Sequence, residues 1–197
     1  AEQARAAAAE SAVTAERLRI ARELHDVVGH SLGVIALQAG VGARVVDTDP
    51  DASPDATTVV ALHGFPQFWW AWRHQLRALG EHGYRGVALD LRGYGGSDKP
   101  PRGYDTFTLA ADVDNVIRSL GARTAVVVGH SWGGWIAWAM PTLYPATTTA
   151  IALLGTAHPL RTVVAAVEPR HGPRLHKTLD FQLPWLPERQ LTRGHLT

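Results

Sequence analysis

From Thr57 onward the chain repeats one pattern: a short β-branched run that ends in a turn, then a stretch with helical periodicity. TVVAL (58–62) runs into HGFP, GVALDL (86–91) into RGYGGSD, TAVVV (124–128) into GHSWG, and TAIALLG (149–155) into TAHP. Between these runs, helical patterns span about 69–82, 106–120 and 132–144. Each run is apolar on both faces, as a strand covered above and below must be. Strands that alternate with helices pair in parallel through crossovers, and crossovers are right-handed. The fold class predicted is α/β: about four parallel strands with flanking helices.

The first part of the chain reads differently. AEQARAAAAESAVTAERLRIARELHD is dense in Ala, Glu, Arg and Leu and has no proline. Ile20, Leu24, Val27 and Val34, flanked by Val28, Leu32, Ile35 and Ala39, form one wide apolar stripe at helical spacing. A long amphipathic helix is therefore expected over 1–46. Its stripe must be buried on a partner helix, on a second copy, or on the domain that follows. Residues 47–57, DTDPDASPDAT, hold two prolines and four aspartates and read as a linker. After residue 157 the pattern becomes irregular, and 158–197 offers no further βα unit.

Composition narrows the chemistry. Hydrophobic residues make up 46% and charged residues 19%, enough apolar matter for a packed core. A formal net charge of +1 gives no field to recruit nucleic acid or an anionic membrane, so neither is expected as a partner. The absence of cysteine excludes disulfides, thiolate catalysis and thiolate metal sites. No metal or cofactor is expected. The N-terminus lacks the apolar run of a signal peptide, and no stretch approaches the ~18 apolar residues of a membrane span. A cytoplasmic location is expected.

Two stretches fit G-x-S-x-G: GHSLG (29–33) and GHSWG (129–133). A nucleophile elbow needs a strand entering and a helix leaving, with small residues on either side of the bend. GHSWG has TAVVV before it and WIAWAM after it. GHSLG lies between ELHDVV and VIALQA on one continuing helical period, where Gly29 and Gly33 read as helix glycines. Ser131 is the nucleophile candidate and Ser31 is not. The plain alternative for GHSWG is a strand–turn–helix junction without chemistry. In HGFP (63–66) the Phe65 backbone N–H, together with that of Trp132, would make an oxyanion hole. The plain alternative there is a simple turn.

HGFPQFWWAWRHQL, DLRGYGGSDKP and GHSWGG together resemble the alpha/beta-hydrolase superfamily, and within it the epoxide-hydrolase and haloalkane-dehalogenase branch. The likeness covers about residues 57–190. It implies that TAHP closes the strand after the elbow helix and that 158–197 begins a cap-like segment. It also puts Trp69, Trp70 and Trp72 near a substrate entrance or on the helix after HGFP; core packing is the other reading of these rings. That branch carries aspartate where this chain has Ser131, which shifts the expected substrate from an epoxide to an ester-like acyl compound. The superfamily's order is Ser, then Asp or Glu, then His. The last two are expected on strands beyond the cap, so the triad is expected to be incomplete within these residues.

A second resemblance precedes the first. ERLRIARELHDVVGHSLGVIALQAGVGARVVDTDPDA (16–52) is similar to the phosphoacceptor helix of two-component sensor histidine kinases with an H-D-x-x-x-H core. It implies that His25 accepts a phosphoryl group, Asp26 assists as base and His30 holds water. Asp26 and His30 are four apart and share a helix face. No glycine-rich nucleotide loop follows, so the helix is expected to serve as a dimeriser or as a phosphoacceptor for another protein's kinase domain. The stretch GARVVDTDPDA fits the end of that helix, and RVVDT also fits a hydrolase strand. Three readings result: a serine hydrolase acting on a small-molecule substrate, a signalling module built on the first helix, or an inactive fusion or truncation of the two.

Overall fold

The computed structural model describes residues 15, 16, 19, 33–38 and 42–161. Their centre is a six-stranded sheet: β1 (Gly33–Gln38), β2 (Gly42–Asp47), β3 (Thr58–Leu62), β4 (Arg85–Leu89), β5 (Ala125–His130) and β6 (Thr148–Leu154). The spatial order is β1-β2-β4-β3-β5-β6. From β3 onward all pairings are parallel, while β2 runs antiparallel to β4 and to β1. A 3₁₀ turn (Trp69–Trp72) leads into α1 (Arg73–Glu81), which joins β3 to β4. Helix α2 (Thr106–Ser119) joins β4 to β5, and α3 (Trp132–Leu143) joins β5 to β6. The four β-branched runs and the three helical patterns thus fall where the sequence placed them, within a few residues.

Strand alternation sorts the core into two layers. Val60, Leu62, Val87, Leu89 and Val127 face α2 and α3, where they meet Val113, Ile117, Ile136 and Met140. Ala61, Ala88 and Val46 face the other way and pack on Trp69, Trp72 and Leu76 of the β3–β4 connection. Helix α2 starts cleanly because the Asp105 side chain accepts the Thr108 N–H at 2.9 Å.

This topology fixes where a ligand can bind. From β3 the chain goes to β4 on one side; from β5 it goes to β6 on the other. The loops leaving the carboxyl ends of neighbouring β3 and β5 therefore diverge. In open α/β sheets the crevice at such a reversal is the usual binding place. The loop after β3 is HGFP, and the residue after β5 is Ser131.

One expectation is corrected here. The helix expected over 1–46 does not run through: residues 15, 16 and 19 are helical, but Gly33–Gln38 and Gly42–Asp47 are strands. The sheet therefore has six strands where about four were expected. The physical reason lies in β4, whose free edge needs a partner. Val45 and Val46 are fully buried beside it, and Asp47 meets Arg85 across the sheet. Arg85 Nη2 donates to Asp47 Oδ2 at 2.7 Å, its Nε also reaches that carboxylate, and its Nη1 donates to the Leu120 carbonyl at 2.9 Å. Gly33 and Gly42 each open a strand, and glycine costs a helix about 1 kcal/mol relative to alanine. Gly33 of GHSLG is thus a strand residue rather than a helix glycine. The alternative that RVVDT is a hydrolase strand is the one realised.

The stretch expected as a linker is tied down as well. Asp47 ends β2, the Thr57 carbonyl accepts the Arg85 N–H at 3.1 Å, and the Pro54 carbonyl accepts the Arg123 N–H at 3.4 Å. The chain divides into two compact units, 1–156 and 157–197. Of the second, residues 157–161 are described; the Leu160 N–H donates to His158 Nδ1 at 3.2 Å. No helix among the described residues is long and apolar enough to cross a membrane.

Candidate active site

The strand-to-helix bend is made by a single residue. β5 ends at His130, α3 starts at Trp132, and Ser131 between them has φ 52° and ψ −113°. It is the one non-glycine residue with positive φ among the described residues. Such a conformation costs about 1–3 kcal/mol and persists only where neighbours enforce it. The neighbours do so. The Ser131 N–H donates to the Leu154 carbonyl of β6 at 3.1 Å. Its carbonyl accepts from the Gly134 N–H at 3.0 Å and from Thr156 Oγ1 at 3.1 Å. The Gly133 N–H donates to the His63 carbonyl at 3.1 Å, which ties the elbow to the end of β3. A Cβ on Gly129 would collide with the Gly133 carbonyl, and one on Gly133 with the Leu62 carbonyl. These two glycines are what let helix, elbow and strand approach so closely.

The loop after β3 abuts the elbow. A Cβ on Gly64 would lie 2.8 Å from Ser131 Cβ and 2.9 Å from His130 Nδ1. The turn closes through the Gln67 N–H, which donates to the Gly64 carbonyl at 2.9 Å, and its Phe65–Pro66 peptide is cis. Phe65, which follows Gly64 directly, is 44% exposed, and Trp132 is 41% exposed. Trp132 is the first residue of α3, where an N–H has no acceptor in its own helix and the helix field is positive.

His63 is fully buried at the base of the loop. The Leu91 N–H donates to its Nε2 at 3.0 Å, so the proton sits on Nδ1, which donates to the Gly64 carbonyl at 2.9 Å. Burial lowers its pKa below the usual histidine value; the Gly64 carbonyl and the Asp90 charge oppose that shift without reversing it. The ring is therefore a neutral strut. Asp90, also buried, accepts from the Trp69 N–H at 2.7 Å and the Gly96 N–H at 2.8 Å. Both residues hold loops at the carboxyl ends of β3 and β4.

The structure brings Ser131, Trp132 and the Phe65 loop together. Trp69 is 2% exposed and Trp72 7% exposed, so the core reading holds for both rings rather than the entrance reading. Trp70 is half-buried; it meets Trp69 edge-on and carries the Arg73 guanidinium 4.7 Å above its ring. His25, Asp26 and His30 lie outside the described residues. Ser131 Oγ makes no hydrogen bond among the described residues, and no group of three or more His, Cys, Asp or Glu there could hold a metal ion. Sequence reasoning did not single out Gln67 or Asp90. For Asp90 a signal existed: it is the one charged residue inside the apolar run 86–91. For Gln67 there was none.

The class is that of an α/β fold with a strand–turn–helix elbow at the switch point of its sheet. Residues 57–192 match the alpha/beta hydrolase fold family, and the chain belongs to it. Residues 16–63 match a family described as histidine kinase. The chain is 41% identical to human epoxide hydrolase 4 over 135 residues, which is 66% of this chain and 36% of that protein. It is 38% identical to epoxide hydrolase A of Mycobacterium tuberculosis over 157 residues, 77% of this chain and 48% of that protein. A crystal structure of an epoxide hydrolase from Vigna radiata superposes with a TM-score of 0.64 at 30% identity, covering 81% of this chain and 53% of the other. The chain thus spans half or less of the length of these curated relatives.

Proposed function

We propose that the chain carries the nucleophile half of a serine hydrolase acting on a small ester-like acyl substrate. The observation that supports this best is the left-handed Ser131 between β5 and α3, with the Gly64 turn packed against its Cβ. Ser131 Oγ would attack the acyl carbonyl carbon and pass its proton to a base. The oxygen that becomes negative would be met by the Phe65 and Trp132 backbone N–H groups. Collapse expels the alcohol, and water then cleaves the acyl-serine.

The names of the relatives speak of epoxides, but the atom at position 131 favours acyl chemistry. A carboxylate that opens an epoxide forms an ester, which water cleaves. A serine hydroxyl would form an ether, which water leaves intact. The base in this reading comes from outside the described residues. His63 is committed to Gly64 and Leu91, and His130 to Gln67. Without a base, oxyanion stabilisation and binding alone supply roughly 10³–10⁴-fold over water. A fluorophosphonate probe tests the reading. Peptide mass spectrometry should find the adduct on Ser131, and the Ser131→Ala variant should lose it. An adduct on another serine, or none at all, counts against it.

The match over 16–63 supports a second reading for the segment ahead of β1. His25 would accept a phosphoryl group from another protein's kinase domain, with Asp26 and His30 assisting, and the helix would pair with a second copy. Incubation with a histidine-kinase ATP-binding domain and ATP should then label the chain but not His25→Gln. Sedimentation should show a dimer.

A further inference from the structure

Gln67 joins the two halves of the site, although neither HGFP nor GHSWG contains it. Its Oε1 accepts the Gly64 N–H at 3.3 Å and lies 3.2 Å from His130 Nδ1, while its own N–H donates to the Gly64 carbonyl at 2.9 Å. The Gly64 N–H is a fixed donor, so the atom facing it must be oxygen, and that settles which way round the side-chain amide sits. An amide oxygen only accepts. His130 must therefore carry its proton on Nδ1 and donate it to Gln67. One acceptor thus holds one donor from the turn after β3 and one from the residue just before Ser131.

We infer that Gln67 is a positioning residue: its side-chain carbonyl clamps the Gly64–Phe65 turn to the His130–Ser131 elbow and so sets the spacing between the Phe65 amide and the Ser131 hydroxyl. The contact is tight, since Gly64 has no room for a Cβ beside Ser131. Steric contact keeps the turn from moving inward; the Gln67 carbonyl keeps it from moving outward. The role for catalysis rests on the acyl-transfer reading above, but the clamp itself does not.

Two variants separate acceptor from bulk. Gln67→Met keeps the length and removes the acceptor; Gln67→Glu keeps the acceptor. In the full chain, ¹⁵N NMR of the His130 ring should show the Nδ1–H tautomer, and the Gly64 amide should exchange slowly with solvent. Gln67→Met should mix the tautomers and speed Gly64 exchange by about tenfold or more, while Gln67→Glu keeps that amide protected. Fluorophosphonate labelling of Ser131 should slow by roughly 10- to 100-fold in Gln67→Met, the scale of a small misplacement at a reacting centre, and recover in Gln67→Glu. A wild-type His130 protonated on Nε2, or a Gln67→Met chain labelled at the wild-type rate, overturns the inference. A wild-type chain with the NMR signature that takes no probe leaves the clamp standing and counts against the hydrolase reading instead.

Discussion

The two ends of the parallel sheet are built on opposite terms. At the amino end, Asp47 and Arg85 are buried together, and Arg85 spends its remaining donor on the Leu120 carbonyl. Both side chains of that pair are buried and partnered. At the carboxyl end, Ser131 holds an unfavourable φ, glycines stand where any Cβ would collide, and Phe65 and Trp132 are exposed. The first end stabilises the sheet; the second stores strain where neighbouring loops diverge. Ligand sites in such sheets gather at the carboxyl ends of the strands, which is where the proposed site lies.

The comparison breaks most sharply at the amino end. Asp47→Ala leaves the Arg85 charge buried and unpaired, which should cost about 3–5 kcal/mol in urea unfolding. Replacing both members by apolar residues of similar volume should cost much less, because the penalty comes from the orphaned charge. Equal losses in the two variants would contradict that view. At the carboxyl end, Gly133→Ala should cost about 1–3 kcal/mol through overpacking against the Leu62 carbonyl. It should also reduce Ser131 labelling out of proportion to the stability lost, since it shifts the helix that carries the Trp132 amide. Asp47→Ala, in the fraction that stays folded, should leave labelling intact.

Acidity separates the ends next. His63 has a folded-state pKa below its ordinary value, so the native state refuses a proton that the unfolded chain accepts. Stability is complete above the unfolded histidine value of about 6.5 and declines as pH falls below it toward the folded value. Urea midpoints between pH 7.5 and 5 should show this decline, and it should shrink in His63→Asn. The smallest effect calibrates the rest. Asp105→Ala removes the cap of the exposed first turn of α2 and should cost about 1 kcal/mol without altering the rate of Ser131 labelling.

Much of this was written locally in the chain. Strands β3 to β6 announce themselves as β-branched runs, and Ser131 is legible because its elbow needs only a strand, two small residues and a helix in sequence. β1 and β2 were not legible. Val34, Ile35, Val45 and Val46 suit either period, and the choice is made by Arg85, 38 residues from Asp47. Trp69 and Trp72 were equally open, because an aromatic cluster reads the same in a core as at an entrance. Gln67 was invisible for a related reason: its partner His130 is 63 residues away, and nothing local marks the bond. What a residue does through a distant neighbour is set by packing, which a linear pattern does not carry.

The most direct test of the elbow uses the absence of cysteine from the chain. Ser131→Cys introduces the only thiol, and the pH dependence of its reaction with iodoacetamide reads the field at that position. A thiol at a helix N-terminus beside backbone amides should titrate below the free value of about 8.5 and react readily. A thiol that titrates at or above that value, or that iodoacetamide does not reach in the folded chain, would contradict a half-buried but accessible nucleophile at the switch point of this sheet.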